Sequence, residues 1–206
     1  MKYIILKKII INLQRWVYTI NLPKGIYGIT SRDFGFSHVE SAEMLLKAGV
    51  KIIQYREKNA STRRMLQEAN EIKKLCSLYN AVFIINDRLD IAIASDADGI
   101  HLGQEDMFIE IAKKMFSGKI IGISVSNEKE AIEAQEKGAD YLGAGAVFPT
   151  GTKKDSEVIG IKMLEKIINS VKIPVYAIGG ITLENLNEIK KYKAYGAAVI
   201  SGILNS

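Results

Sequence analysis

The sequence predicts a parallel (β/α)8 barrel, and two features support this prediction. Eight short runs rich in β-branched residues recur along the chain from residue 26 onward, and amphipathic stretches with helical spacing separate them. Strands that alternate with helices form βαβ units, in which the strands are parallel. Eight such units within about 180 residues favour a closed barrel over an open sheet.

Each predicted element is short and is bounded by polar residues or glycine. The strand predictions cover residues 26–29, 52–55, 82–85, 99–101, 120–123, 141–143, 175–178 and 197–200. The helix predictions cover residues 39–47, 62–78, 90–94, 108–115, 128–136, 161–168 and 183–190. Several helices end near a glycine such as Gly49 or Gly138, where the left-handed backbone that ends a helix is readily adopted.

The two ends of the chain depart from a complete barrel. Residues 1–24 precede the first strand, and apolar side chains between positions 5 and 16 recur at helical spacing, which predicts an extra amphipathic helix. Only residues 201–206 follow the eighth strand, so we expect most of an eighth helix to be lacking. We therefore predict an N-terminal extension over residues 1–24 and a catalytic barrel domain over residues 25–206.

Composition and charge exclude several classes of protein. The 206 residues are 48% hydrophobic and 25% charged, which is typical of a globular domain. The net charge of +5 comes from residues 1–24, so the neutral remainder argues against a nucleic-acid surface. No run reaches the ~18 apolar residues of a membrane span. We expect a cytoplasmic protein in which the single cysteine, Cys76, is a buried apolar residue.

Two aspartates follow neighbouring predicted strands. Asp87 comes directly after strand three, and Asp106 follows strand four by a few residues. The carboxyl ends of parallel strands meet at one mouth of a barrel, so we expect the two carboxylates to lie together. Paired carboxylates can bind a hard divalent cation such as Mg²⁺.

Basic residues also follow the strands around this predicted metal site. Arg56 and Lys58 come after strand two, and Lys153 comes after strand six. Fixed positive charges beside a metal ion are suited to a phosphorylated leaving group. Hydroxyl groups follow strands five and six at Ser124, Thr150 and Thr152.

Uncharged glycine-containing loops follow strands seven and eight. The first contains Gly179 and Gly180, and the second contains Ser201 and Gly202. Barrels often bind phosphate through backbone amides of these two loops, which favours a second anion site here. The alternative is a pair of tight turns without a ligand.

Taken together, these motifs resemble the thiamine phosphate synthase family. The resemblance runs in unbroken order from residue 26 to about residue 203. The matching motifs are Gln54-Tyr55-Arg56-Glu57-Lys58, Asn86-Asp87, His101-Leu102-Gly103-Gln104-Glu105-Asp106, Pro149-Thr150-Gly151-Thr152-Lys153-Lys154-Asp155 and Ala177-Ile178-Gly179-Gly180-Ile181.

The resemblance implies a transferase reaction with two phosphorylated small molecules. In it, 4-amino-2-methyl-5-hydroxymethylpyrimidine diphosphate and hydroxyethylthiazole phosphate combine to give thiamine phosphate and pyrophosphate. The diphosphate leaves first, and the thiazole nitrogen captures the pyrimidine-stabilised carbocation. The resemblance also implies Mg²⁺ as the cofactor.

The same resemblance implies roles for individual residues. Asp87 and Asp106 are the implied ligands of Mg²⁺. The implied catalytic residues are Arg56, Lys58, Ser124 and Lys153. The pyrimidine diphosphate is implied to contact Gln54, Arg56, Lys58, Asn86, Ser124 and Lys153. The thiazole phosphate is implied to contact Thr150, Thr152, Gly180, Ile200 and Ser201.

Other classes of protein stay open as alternatives. The related thiazole tautomerases share the fold, but they generally lack the metal carboxylates and use a histidine after strand five, where this chain has Ser124. The shortage of histidines argues against a metal-dependent sugar-phosphate epimerase, and we interpret His101 as a packed strand residue. A non-catalytic regulatory barrel is a further alternative. The oligomeric state is open, with a homo-oligomer among the alternatives.

Overall fold

The predicted (β/α)8 architecture is confirmed. A computed structural model describes residues 22–32, 35–151 and 157–200 of the chain. In these residues eight parallel strands pair in sequence order, and β8 pairs with β1 to close the barrel. The strands are β1 (Gly25–Ile29), β2 (Ile52–Tyr55), β3 (Val82–Asn86), β4 (Gly99–Leu102), β5 (Ile120–Val125), β6 (Tyr141–Gly145), β7 (Val175–Ile178) and β8 (Gly196–Val199).

Helices connect the strands around the outside of the barrel. They are α1 (His38–Lys47), α2 (Thr62–Leu78), α3 (Leu89–Ala94), α4 (Ile109–Met115), α5 (Glu128–Glu136), α6 (Gly160–Ser170) and α7 (Leu186–Lys191). Local signals set their first residues. At α1 the Ser37 hydroxyl accepts from the Glu40 amide while the Glu40 carboxylate accepts from the Ser37 amide, which is a capping box.

The last helix begins later than its sequence pattern predicts. We expected a helix from residue 183, but α7 begins at Leu186. The Thr182 amide donates to Asn185 Oδ1 at 2.9 Å, and the Asn185 amide donates to Thr182 Oγ1 at 3.4 Å. These side chains satisfy local backbone donors in a turn, so helical hydrogen bonding starts only after it.

The strands divide the apolar residues between two cores, because successive side chains on a strand point to opposite faces. One core lies between the strands and the helices and includes Leu46, Ile72 and Leu164. The other fills the lumen of the barrel. Its buried members are Leu22, Tyr27, Ile29, Ile52, Ile84, Ile120, Tyr141, Tyr176 and Ala198.

Three buried tyrosines occupy much of the lumen. The rings of Tyr27 and Tyr176 meet edge to face with centroids 5.2 Å apart, and those of Tyr141 and Tyr176 do so at 5.6 Å. Tyr141 fits because β5 carries Gly122 beside it, where an added Cβ would lie 2.0 Å from the Tyr141 Cζ atom. The absence of a side chain at position 122 therefore makes room for a large ring.

Tyrosine hydroxyls also anchor the chain where it enters the barrel. Tyr176 donates to the Pro23 carbonyl and Tyr195 to the Leu22 carbonyl, each at 2.6 Å. The predicted helix within residues 1–24 and the shortened C-terminus fall almost wholly outside the described residues, so both stay predictions, as does the domain boundary at residue 25. Within the described ranges, no helix is long and apolar enough to cross a membrane.

Two aspartates link adjacent strands at the amino-terminal end of the barrel, where the strands begin. Asp98, just before β4, accepts from the Phe83 amide at 2.8 Å and from Lys73 Nζ at 2.6 Å. Asp140, just before β6, accepts from the Ile121 amide at 2.8 Å. Each carboxylate satisfies a backbone donor near the start of the neighbouring strand, which a buried N–H group requires.

We expect Asp98→Ala to lower the free energy of unfolding by roughly 1–3 kcal/mol, because the Phe83 amide would lose its acceptor in a buried position. Urea unfolding followed by circular dichroism measures this change. Glu133→Ala is the control, since it removes an exposed carboxylate that pairs with Lys137 on the surface of α5. Equal unfolding midpoints for the two variants would contradict the role of Asp98.

Candidate functional site

Thirteen site residues are predicted from the sequence, and ten of them line one pocket at the carboxyl ends of the strands. These residues are Gln54, Arg56, Lys58, Asn86, Asp87, Asp106, Ser124, Thr150, Gly180 and Ile200. The other three, Thr152, Lys153 and Ser201, lie outside the described residues. The ten predicted residues come from seven of the eight strand ends, and Ile29 at the end of β1 lines the same pocket.

The end of β2 and the loop after it supply the basic side of the pocket. Gln54 is the last lumen-facing residue of β2 and donates from Nε2 to the Tyr27 hydroxyl at 2.8 Å. The Arg56 amide donates to Thr30 Oγ1 at 3.4 Å, which ties this loop to the end of β1. Lys58 extends across to β3 and forms an ion pair with Asp87.

The two aspartates predicted to bind metal lie side by side. Asp87 adopts a left-handed backbone with φ of 57°, and its amide donates to the His101 carbonyl at 2.9 Å. Asp106 accepts from the Gly103 amide at 2.6 Å. Burial raises the pKa of the Asp106 carboxyl, and the neighbouring Asp87 carboxyl raises it further. Two adjacent carboxylates would be stabilised by a cation between them.

A buried polar cluster lies directly behind the β2 loop. Glu57 accepts from Arg32 Nε at 3.1 Å and from His38 Nε2 at 3.2 Å, and the guanidinium of Arg32 also pairs with Glu68. Burial lowers the pKa of His38, so its imidazole is neutral near pH 7. Ligand atoms of His38, Glu57 and Glu68 lie within 4.8 Å of one another, but Arg32 supplies the cation to this group.

The cluster holds the backbone that carries Arg56 and Lys58. Glu57 lies between them in sequence, and its side chain also accepts from the Asn59 amide at 2.7 Å. Sequence reasoning missed this part of the site. The available signal was an acidic residue enclosed by two basic ones in a loop, together with a histidine at the start of the first helix.

On the far side of the barrel, Ser124 and His101 form a contacting pair. His101 is buried at the end of β4, and its Nε2 atom lies 2.9 Å from Ser124 Oγ. The Gln104 side chain donates to the Ser124 carbonyl at 2.6 Å. His101 also lines the pocket, so it is both a packed strand residue, as interpreted from the sequence, and a neighbour of a predicted catalytic residue.

The loops after β6, β7 and β8 form the uncharged side of the pocket in the part that is described. Gly180 has φ of 64°, and an added Cβ would lie 2.4 Å from the Pro149 carbonyl oxygen and 2.7 Å from that of Phe148. The glycine is therefore required for close packing of the β7 loop on the β6 loop. The packing thus gives a structural reason for glycine at position 180, in addition to the phosphate contact that the sequence predicts for it.

The described chain is thus a (β/α)8 barrel with a polar pocket where barrels of this class carry their active sites. A family model described as thiamine monophosphate synthase matches residues 26–203. A thiamine-phosphate synthase from Caldivirga maquilingensis is 55% identical over 186 residues, which cover 90% of this chain and 91% of that one. One from Pyrococcus horikoshii is 50% identical over 181 residues, which cover 88% and 87%.

A solved structure agrees with the sequence comparisons. The thiamine phosphate pyrophosphorylase from Pyrococcus furiosus matches with a TM-score of 0.83 and 48% sequence identity, and the match covers 88% of each chain. The chain therefore belongs to the thiamine monophosphate synthase family, which confirms the resemblance seen in its motifs.

Glu57 generates a prediction about acid stability. Burial alone would raise the pKa of its carboxyl, but hydrogen bonds from the Asn59 amide, Arg32 and His38 outweigh burial and lower the pKa to about 2. A carboxyl with a lowered pKa stabilises the fold above its unfolded pKa of about 4.3, and this contribution is lost as pH falls towards 2.

Glu57→Gln should therefore be less stable than the wild-type chain at neutral pH, by on the order of 2 kcal/mol, and the difference should shrink between about pH 4.5 and pH 2. Urea unfolding across this range measures the difference. Glu43→Gln, at an exposed carboxylate that pairs with Lys47, is the control. A Glu57→Gln difference that is independent of pH would contradict the electrostatic role of the cluster.

Proposed function

We propose that this chain is a thiamine-phosphate synthase. It would join 4-amino-2-methyl-5-hydroxymethylpyrimidine diphosphate to hydroxyethylthiazole phosphate and release pyrophosphate. The observation that carries the proposal is the meeting of Arg56, Lys58, Asp87 and Asp106 in one pocket. On this proposal the chain binds two phosphorylated small molecules as substrates, which its family membership also supports.

The basic side of the pocket is suited to the departing diphosphate. Negative charge on this group grows as its bond to the pyrimidine methylene carbon breaks, so cations held there stabilise the transition state more than the ground state. Arg56 and Lys58 are held in place by the Glu57 cluster and by Asp87. We assign Arg56, Lys58 and Lys153 to the diphosphate, with Asn86 beside them.

The remaining pocket residues divide between the two substrates. Gln54 and Ser124 are polar groups that reach the pocket from opposite sides of the barrel lumen, and we assign them to the pyrimidine ring. Thr150, Thr152, Gly180, Ile200 and Ser201 are assigned to the thiazole phosphate. The β7 loop contributes no charged side chain to the pocket, so backbone amides and hydroxyls would bind this phosphate.

The two aspartates fit Mg²⁺ as the cofactor. They offer hard carboxylate oxygens. Burial raises the pKa of the Asp106 carboxyl and the neighbouring Asp87 carboxyl raises it further, so a cation between them would stabilise the ionised pair. When bound, Mg²⁺ would neutralise charge on the diphosphate oxygens. Lys58, which pairs with Asp87 in this structure, would then be available to the diphosphate as well.

The thiazole tautomerase alternative finds no support in the pocket. Ser124 occupies the end of β5, and both aspartates of the metal pair are present. A cytoplasmic location and the assembly of the chain into a homo-oligomer stay predictions.

We expect activity to require Mg²⁺ or a close substitute. Excess chelator should abolish thiamine phosphate formation, and added Mg²⁺ should restore it. Asp87→Asn, which tolerates the left-handed backbone, should lower kcat roughly a hundredfold or more because one metal ligand is weakened. Asp90→Asn is the control, since Asp90 pairs with Arg88 outside the pocket. Full turnover in excess chelator would contradict the metal assignment.

We expect Arg56→Ala and Lys153→Ala to slow the chemical step more than they weaken thiazole phosphate binding. Each loss should raise the barrier by roughly 2–4 kcal/mol, or about 30- to 1000-fold in rate. Single-turnover release of pyrophosphate measures the step, and calorimetry measures thiazole phosphate affinity. Arg63→Ala is the control, because Arg63 is exposed on α2. An unchanged rate with weakened thiazole affinity would reverse the assignment of the two anion sites.

A further inference from the structure

A continuous line of hydrogen bonds crosses the barrel lumen from one side of the pocket to the other. Gln54 Nε2 lies 2.8 Å from Tyr27 Oη, and Tyr27 Oη lies 2.7 Å from Tyr141 Oη. Tyr141 Oη lies 2.9 Å from His101 Nδ1, and His101 Nε2 lies 2.9 Å from Ser124 Oγ. Both ends of the line, Gln54 and Ser124, face the pocket.

The interior members of this line are almost fully buried, and of the three only His101 lines the pocket. Tyr27, Tyr141 and His101 are at most 5% exposed. Burial raises the pKa of both tyrosines, so each hydroxyl keeps its proton and has one hydrogen to donate. Because each tyrosine hydroxyl has a single hydrogen to donate, few arrangements of the protons along the line are possible.

The donor at Gln54 sets the direction of every later hydrogen bond. The Tyr27 and Tyr141 oxygens lie within hydrogen-bond distance, as do Tyr141 Oη and His101 Nδ1. With Gln54 donating to Tyr27, the arrangement that gives every buried hydroxyl hydrogen an acceptor has Tyr27 donating to Tyr141 and Tyr141 donating to His101 Nδ1. A neutral imidazole that accepts at Nδ1 carries its proton on Nε2, which then donates to Ser124 Oγ. The Ser124 hydroxyl proton is thereby directed to an acceptor in the pocket, while the Gln54 carbonyl oxygen stays available to a donor.

We propose that Tyr27, Tyr141 and His101 are positioning residues that fix which end of the pocket donates and which end accepts hydrogen bonds, and that they thereby orient the pyrimidine substrate. The proposal deepens the function proposed above and rests on it. The three residues act through Gln54 and Ser124 and are not themselves assigned to chemistry at the reacting carbon.

The proposed substrate has matching chemistry. An aminopyrimidine carries an amino group that donates and ring nitrogens that accept, so it complements a carbonyl oxygen at Gln54 and a hydroxyl proton at Ser124. When the diphosphate leaves, positive charge spreads from the methylene carbon onto the amino group, and its N–H bonds become stronger donors. A carbonyl oxygen held in the accepting orientation therefore stabilises the transition state more than the bound substrate.

A neighbouring tyrosine provides a matched control. Tyr176 is fully buried in the same lumen cluster and contacts the rings of Tyr27 and Tyr141, but its hydroxyl donates to the Pro23 carbonyl at the other end of the barrel. Tyr176→Phe and Tyr141→Phe each remove one buried hydroxyl from this cluster. Only Tyr141→Phe interrupts the line between Gln54 and Ser124.

The first experiment detects the proton arrangement without using activity. The chain has only two histidines, so ¹⁵N-labelled imidazole spectra are simple, and His38→Gln assigns them. At about pH 8, where an ordinary imidazole is neutral, we expect His101 to be a single tautomer with its proton on Nε2. Tyr141→Phe should convert it to a mixture, and Tyr176→Phe should leave it unchanged. A proton on Nδ1 in the wild-type chain, or a tautomer insensitive to Tyr141→Phe, would overturn the proposal.

The second experiment measures catalysis with both substrates and Mg²⁺. Tyr141→Phe should lower the single-turnover rate at least tenfold and change the KM for thiazole phosphate less than twofold. Tyr176→Phe should stay within twofold of the wild-type rate. Tyr141 acts on the Ser124 end of the line through His101, and Gln54 keeps its hydrogen bond to Tyr27 in Tyr141→Phe. The double variant Ser124→Ala/Tyr141→Phe should therefore be no more than twofold slower than Ser124→Ala alone.

The outcomes separate this proposal from the function on which it rests. Equal rate losses in Tyr141→Phe and Tyr176→Phe, or full additivity with Ser124→Ala, would overturn the positioning role while leaving the synthase activity established. A wild-type chain that forms no thiamine phosphate would reject the function. The same result would reject a catalytic role for the line of hydrogen bonds. The tautomer measurement would then describe only where the protons lie along that line.

Discussion

Closure of eight parallel strands creates a lumen that side chains must fill, and the other features of this protein depend on how they do so. Towards the start of the strands the lumen is filled by isoleucines and by the rings of Tyr27, Tyr141 and Tyr176. Large rings can pack there because Gly122 leaves space beside Tyr141. Their hydroxyls need partners in a buried position, and this requirement links the packed core to polar groups at the pocket.

The change from apolar to polar lumen residues occurs within single strands. Ile52 and Gln54 both face the lumen on β2, as Ile84 and Asn86 do on β3. The first residue of each pair packs in the core, and the second reaches the pocket at the strand end. Rigid strands thus carry uncharged polar groups of the pocket, Gln54 assigned to the pyrimidine and Asn86 beside the diphosphate residues, whereas the charged groups assigned to the diphosphate come from the following loops.

Those loops are held by electrostatic contacts. The cluster around Glu57 fixes the backbone between Arg56 and Lys58, and Lys58 in turn contacts Asp87 on the next loop. A charged side chain on a free loop would lose conformational entropy when it bound a ligand, so prior ordering favours binding. The opposite side of the pocket depends instead on close backbone packing at Gly180.

The sequence by itself determined the strand–helix alternation, the barrel class and the positions of the residues that reach the pocket, because these follow from hydrophobic periodicity and from the rule that loops after parallel strands share one face. It also determined the family through its motifs. Only the tertiary structure decided which buried groups touch: the pairing of Glu57 with Arg32 and the line from Gln54 to Ser124 join residues distant in sequence. It also decided that Gly180 is required by the Phe148 and Pro149 carbonyls, since such contacts depend on how separate loops pack and leave no periodic signal in the chain.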